Sequence, residues 1–261
     1  MVNQSVSLCD RLEISPREGE ADRIDLTGTY ADRVPDDSGN LVRKALEACR
    51  RRNPALPRFT VVLRKEIPVG GGLGGGSADV AAVLHALERG GWMSLREAQW
   101  LEAAAELGAD VPFAWRGGTA IVEGLGEKIR PIEFPFPEVC YVLVSPEVSV
   151  STAWAYGRWD ECERVEIRQL MEILTCLKNK DYDSLCKAVY NGFERMIFEK
   201  HPGLCDLAGE MRRRGCDAAW MTGSGSNLVG LCQTADQARR ASKSLSGKGF
   251  RARVVKPGTE A

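Results

Sequence analysis

The sequence predicts an α+β fold, and three observations carry that prediction. Strand-type alternation fills the N-terminal segment and returns near the C-terminus. Helix-type spacing dominates much of the rest, yet strands and helices do not alternate strictly, which argues against a doubly wound α/β sheet. At 261 residues the chain can bury a proper core as one large or two small domains.

Taken in order, Val6, Leu8, Leu12, Ile14, Ile24 and Leu26 alternate as short half-buried strands do, with polar turns such as Pro16–Gly19 between them. Leu41, Ala45, Leu46 and Cys49 share one face of a helix over Asn40–Arg51. Phe59–Ile67 reads as a strand entering a glycine stretch. The helix formers that follow run to about Arg89, where Gly90-Gly91 ends the helix. Ser94 and Glu97 have capping-box spacing and predict a helix to about Leu107. Gly117–Glu123 and Glu127–Ile132 form an expected hairpin, and Cys140–Ser145 a buried strand. Between these, Glu133–Pro137 is the expected connector and domain edge. Helices are expected over Thr152–Trp159, Ile167–Leu177, Asp181–Glu199 and Leu204–Gly215. Ala218–Thr222 and Asn227–Cys232 are strands bracketing Gly223–Ser226. A helix (Ala235–Leu245) and a strand (Arg251–Val255) finish the pattern.

Composition excludes several functions. Net charge is −1 with both signs scattered, which is not the basic stripe of a nucleic-acid binder. No apolar run is long enough to span a bilayer, and Asp10 and Arg11 interrupt the first dozen residues. Nine cysteines without a C-x-x-C pair read as small buried hydrophobes in a reducing cytosol, so a cytoplasmic location is expected. His85 and His201 alone supply a histidine-based metal site or triad poorly, and no G-x-S-x-G elbow is present.

The chemistry concentrates at Pro68–Leu84, PVGGGLGGGSADVAAVL, where six of the seven residues Gly70–Gly76 are glycine. A backbone stripped of side chains, feeding a helix N-terminus, offers converging N–H groups and the positive end of the helix dipole. That is an anion site of the phosphate-loop kind. A flexible linker would need polar padding that is missing here. Walker A requires Lys and then Ser or Thr after the last glycine, but Gly76 is followed by Ser77-Ala78. Gly70, Gly72 and Gly75 satisfy G-x-G-x-x-G, but no carboxylate ends a second strand near Gly90 to meet a ribose.

Three further places have both a structural and a chemical reading. Asp110, before Val111-Pro112, suits a helix N-cap and equally a carboxylate that takes a hydroxyl proton. Gly223-Ser224-Gly225-Ser226 suits a tight turn or the wall of a site. Tyr156 suits a core aromatic or a stacking platform for a nucleobase.

Together these segments resemble the GHMP kinases, the superfamily of galactokinase, homoserine kinase and mevalonate kinase. GGGLGGGS looks like the branch that phosphorylates 4-diphosphocytidyl-2-C-methyl-D-erythritol in isoprenoid precursor synthesis. The resemblance covers nearly the whole chain from about residue 4. It implies a two-subdomain fold, with a ribosomal protein S5 domain 2-like part over 1–137 that binds ATP. A ferredoxin-like part would span 138–261. By the same resemblance, Pro68, Val69, Gly70, Gly71, Gly72, Leu73, Gly74, Gly75, Gly76, Ser77 and Ala78 hold the ATP phosphates. LGADVP makes Asp110 the catalytic base, and MTGSGSNLVGL makes Gly223–Ser226 the third motif lining the cleft. SVSTAWAY places Tyr156 against the cytosine ring. NGFE (Asn191–Glu194), Pro202 and Asn40-Leu41 are further matches. ATP and Mg²⁺ are the implied cofactors, and a cytidine diphosphate-linked alcohol is the implied partner.

The match also departs from the family pattern. Ser226-Asn227 stand where Pro-Thr is usual, and Gly76 stands where some members carry a metal-binding serine, so no metal ligand is assigned. The family's N-terminal strand with a catalytic lysine, and its Asp-Gly-Tyr-His segment, have no counterpart. The expectation is a longer frame carrying both upstream of Met1; the alternative is a short nucleotide-binding form weakened in transfer. No other lysine replaces the missing one: Lys44 and Lys65 are expected on solvated faces, and Lys128 in a hairpin.

Overall fold

The computed structural model describes residues 1–133, 138–159 and 168–258, with the side chains of 168 and 169 left aside. The chain forms two compact units. One comprises Met1–Val69, Gly74–Ile132 and Gly258, and the other Gly70–Leu73 and Glu133–Pro257.

The first unit contains β1 (Val2–Gln4), β2 (Arg11–Arg17) and β3 (Arg23–Thr27), then α1 (Leu41–Arg52) and β4 (Arg58–Arg64). After the glycine stretch come α2 (Gly75–Arg89), α3 (Glu97–Leu107), α4 (Val111–Arg116), β5 (Thr119–Glu123) and β6 (Lys128–Pro131). One sheet has the order β2-β4-β3, with β2 antiparallel and β3 parallel to the central β4. A second, antiparallel sheet has the order β1-β5-β6. In β4 the alternate residues Phe59, Val61 and Leu63 are buried, which is the period of a strand covered on one face. Leu46 and Cys49 of α1, Val80, Leu84 and Leu87 of α2, and Trp100 of α3 pack in the same core. Each large apolar side chain so buried contributes about 1.5–3 kcal/mol before entropy is counted.

Asn40 starts α1 by a specific device. Its Oδ1 accepts from the N–H groups of Val42 (2.9 Å) and Arg43 (3.3 Å), while its Nδ2 donates to the Pro35 carbonyl (2.8 Å). Asn40→Ala is expected to cost about 1–2 kcal/mol, measured as a lower urea midpoint with an unchanged m-value.

The second unit begins with β7 (Cys140–Ser145), α5 (Thr152–Trp159) and α6 (Arg168–Asn179). It continues through α7 (Tyr182–Ala188), α8 (Glu194–Lys200), α9 (Pro202–Arg213), β8 (Ala218–Met221), β9 (Leu228–Cys232), α10 (Ala235–Ser246) and β10 (Arg251–Val255). Its sheet is antiparallel throughout, in the order β10-β7-β9-β8. One strand, a helical segment, a hairpin, a helix and a last strand give the β-α-β-β-α-β pattern of ferredoxin-like folds. Val142, Val144, Leu207, Met211, Leu228 and Leu245 are among its buried core residues.

The predicted α+β class holds, and the departures from the sequence reading are local. The first strand is Val2–Gln4, not a segment through Val6 and Leu8, because beyond Ser5 the chain leaves β5 and swings Asp10 toward β4. Pro16 is not a turn residue: it lies in β2 opposite Phe59, tolerated because β2 is an edge strand. Leu41 is 40% exposed, and Val42 takes its place on the buried face of α1. The helix expected from Ser94 starts at Glu97, where the Gln99 side chain accepts from the Arg96 N–H (3.0 Å). The short helix α4 starts behind Asp110, where a helix N-cap was one of the two readings of the sequence.

Asp181–Glu199 is two helices, not one. Between them the Asn191 side chain accepts from the Phe193 N–H (2.9 Å) and donates to the carbonyls of Met221 (2.6 Å) and Gly223 (2.7 Å). These bonds compete with the helix ladder and end it. The eight described cysteines are all free, but Cys9 and Cys205 are exposed, so not all of them are core residues. The connector residues 134–137, the expected helix start at Ile167 and Cys162 lie outside the described residues.

Candidate active site

Helix α2 opens directly behind the glycines. Its N-cap is Gly74, in the left-handed region at φ 64°, so no side chain covers the N–H groups of the first turn, which also contains no acidic residue. Those amides and the helix dipole favour an anion. Gly75 has a second reason to be glycine: a Cβ there would fall 2.8 Å from Ile67 Cγ2 and 3.2 Å from Lys65 Nζ.

That lysine overturns the expectation of a solvated face. Lys65 is 2% exposed, and its Nζ donates to Asp10 Oδ2 (2.5 Å) and Asp79 Oδ2 (2.6 Å). Asp10 Oδ1 accepts from the N–H groups of Glu66 (2.5 Å) and Ile67 (2.8 Å). Burial is the main force raising the Asp79 pKa. Lys65 opposes it, and Asp10 adds to it. Lys44 is exposed and Lys128 lies in the β5–β6 hairpin, as read from the sequence.

Asp110 sits at the N-cap position of α4, yet its side chain makes no capping bond. Buried Val111 and Pro112 anchor the helix. On α2, His85 stacks on Trp115 at 5.3 Å between ring centroids, and its Nε2 lies 2.8 Å from the Trp115 carbonyl. The Asp110 residue is exposed by surface area, but protein atoms crowd its carboxyl enough for desolvation to raise its pKa above the ordinary carboxylate value. A carboxylate left free of capping and made more basic can accept a proton.

In the second unit, Gly70–Leu73 lies on the turn between β8 and β9. Thr222 Oγ1 donates to the Gly72 carbonyl (3.1 Å), and Asn227 bonds the Gly71 carbonyl through both its Nδ2 (2.6 Å) and its N–H (3.2 Å). The two backbones approach so closely that a Cβ on Gly72 would lie 2.3 Å from the Thr222 carbonyl oxygen. Gly72 also has φ 75°, so glycine is required there twice over. Ser224 Oγ lies 3.0 Å from Thr152 Oγ1, and Ser226 Oγ donates to the Val148 carbonyl. The Gly225–Ser226 peptide is cis.

Asn227→Ala would leave the buried Gly71 carbonyl without its shortest bond. A cost of about 1–3 kcal/mol is expected, read as a lower melting temperature. Asn227→Asp should restore little, because a carboxylate cannot donate to that carbonyl.

Tyr156, on α5, is 49% exposed and meets Phe193 edge-on at 5.0 Å, with Trp159 on Phe193 at 5.1 Å. Its ring is therefore not enclosed in a core. The structure thus brings Gly70–Leu73 together with Gly223–Ser226 in one unit, and places Gly74–Ala78 and Asp110 in the other. Sequence reading missed Asp10, Lys65, Asp79 and the side-chain role of Asn227. The only available signal was Lys65 and Asp79 flanking the glycines, and charged residues there read equally well as solvated.

The family model for the GHMP kinases N terminal domain matches residues 40–118, and that for GHMP kinases C terminal matches residues 173–251. A 4-diphosphocytidyl-2-C-methyl-D-erythritol kinase of Bacillus pumilus is 34% identical over 247 residues, 95% of this chain and 84% of that protein. One of Geobacillus thermodenitrificans is 35% identical over 248 residues, with the same coverage. A crystal structure of 4-(cytidine 5'-diphospho)-2C-methyl-D-erythritol kinase superposes with a TM-score of 0.76 at 30% identity, covering 98% of this chain and 90% of that one. Homoserine kinase from Cytophaga hutchinsonii shares the fold, with a TM-score of 0.79 at 17% identity over 99% of this chain and 89% of that one. The glycine loop, the uncapped aspartate and the glycine turn all fall in a chain that matches these kinases almost end to end, and the chain belongs to the 4-diphosphocytidyl-2-C-methyl-D-erythritol kinase family of the GHMP kinases.

Proposed function

We propose that this chain transfers the γ-phosphoryl group of ATP to the 2-hydroxyl of 4-diphosphocytidyl-2-C-methyl-D-erythritol, in isoprenoid precursor synthesis. The observation that carries the step is Asp110. Its carboxyl stands at a helix N-terminus without capping it and is held more basic than usual. The bond from the γ-phosphorus to the ADP oxygen breaks and a bond to the substrate oxygen forms. The hydroxyl proton passes to the Asp110 carboxylate. Pro68–Ala78 holds the triphosphate on backbone amides, and Gly223–Ser226 shapes the cleft. Tyr156 offers its exposed ring to the cytosine face. In this reading residues 1–137 form the ATP-binding part and 138–261 the C-terminal part.

Mg²⁺ supplies charge neutralisation at the β- and γ-phosphates when bound. Among the described residues no group of three or more His, Cys, Asp or Glu side chains converges as a metal site. Also among the described residues, no helix is long and apolar enough to cross a membrane. We take the reaction to be cytosolic.

The test is a coupled ADP-release assay with ATP, Mg²⁺ and a panel of alcohols comprising the cytidine substrate, mevalonate and homoserine. Turnover is expected with the cytidine substrate alone. Turnover of mevalonate or homoserine in its place would overturn the substrate assignment, and ATP binding without any turnover would overturn the transfer.

A further inference from the structure

The mechanism leaves one cluster unused: a lysine and two aspartates, almost fully buried, under the first turn of α2. We propose that Lys65 is a positioning residue for the phosphate loop. Its single ammonium ties the strand that enters the loop to the helix that leaves it, and nucleotide affinity depends on that tie. The inference rests on the reading that the N-terminus of α2 receives the ATP phosphates.

Both ties are short and directional. On the entry side, Asp10 joins Lys65 Nζ at 2.5 Å and takes the N–H groups of Glu66 and Ile67, the two residues before Pro68. On the exit side, Asp79 stands four residues into α2 from Gly75 and meets the same Nζ at 2.6 Å. Side-chain exposure is 3% for Lys65, 5% for Asp10 and 6% for Asp79, so water does not loosen the bonds. The ammonium lies against the first residue of α2, since a Cβ on Gly75 would come within 3.2 Å of Nζ.

Packing alone does not call for this arrangement. Apolar side chains of similar volume commonly stabilise a core as well as a buried ion pair does, or better. What a hydrogen-bonded charge adds is a fixed distance. Here that distance sets how far the start of α2 stands from the end of β4. Backbone amides that cradle a phosphate must be held to within about 0.5 Å of their productive positions. Asp79 Oδ1 makes no hydrogen bond, so the helix is held at this carboxylate by Oδ2 and the ammonium.

The test compares the full chain with Asp79→Asn and with the double variant Lys65→Met/Asp79→Leu, which leaves no lone charge on the helix. Melting temperature, ATP dissociation constant by calorimetry, and kcat with both KM values are measured well below the melting transition. The expected result is an ATP dissociation constant and KM raised about tenfold in both variants. The KM for the alcohol should stay within about twofold and kcat within about threefold. A purely structural cluster would lower the melting temperature and leave the ATP constants of the folded protein unchanged, and that outcome overturns the proposal. If the unaltered chain itself fails to bind ATP, the phosphate-loop reading falls and this inference with it. If it binds ATP and the variants bind equally well, the positioning role alone falls.

Discussion

Lys65→Met is expected to lower the unfolding free energy by about 3–5 kcal/mol, because it removes the counter-ion and leaves two buried carboxylates facing each other. Against a typical total of about 5–15 kcal/mol for a natural protein, that is a large fraction. The loss should also depend on pH. Burial first, and Asp10 after it, raise the Asp79 pKa from 3.8 to about 7 in the folded state, with Lys65 pulling the other way. A folded pKa above the unfolded one means that the native state holds a proton the unfolded state has released. The contribution of Asp79 to stability is therefore fully present below about pH 4 and lost as pH rises through about 7. Without the ammonium, ionising the site becomes harder still, so the penalty in Lys65→Met should be greater at pH 8 than at pH 5. Urea titrations at the two pH values measure it. Equal penalties at both would show that Asp79 does not change its protonation between pH 5 and pH 8 in the folded protein.

Asp110→Asn is expected to reduce kcat by about 10²–10⁴-fold, the usual worth of a positioned general base. Asparagine keeps the shape but cannot take the hydroxyl proton. ATP affinity should change little, since the phosphates are assigned to the glycine loop. Stability should hold or rise slightly, because the side chain makes no capping bond and its charged form is desolvated. With Asp110 proposed as the base, activity should need its ionised carboxylate, so kcat/KM should fall as pH drops through a pKa above the ordinary aspartate value. The acid limb of the pH–rate profile reports that pKa. A profile flat down to pH 4, or a variant with kcat within threefold of wild type, would remove Asp110 from the chemistry.

Much of the fold was legible because its signals are local. Alternating apolar residues marked β2 and β3, an apolar run marked β7, helical spacing marked α1, helix formers marked α2, and glycines marked where α2 stops. The errors also have local causes. Two apolar positions, Val6 and Leu8, are too few to establish a strand. Helical propensity across Asp181–Glu199 gave no sign that Asn191 would spend its side chain on Met221 and Gly223, some 30 residues away. The glycine loop was readable because backbone stripping is visible in one dimension, and Asp110 because LGADVP resembles a family segment.

Lys65 was misread for the same physical reason in reverse. Beside Glu66 and at a strand end, its charge argues for solvent. Only when Asp10 and Asp79, 55 and 14 residues away in sequence, converge on it does burial become affordable. The amino-acid sequence by itself determined most of the elements and the glycine stretch ahead of α2, since each depends on neighbours within a few residues, and Asp110 became the candidate base through the resemblance of LGADVP to a family segment. Tertiary structure alone decided which charges are buried together, that Asn227 holds Gly71, and that Asp110 is left uncapped. Those are pairings across long loops, and periodicity does not encode them.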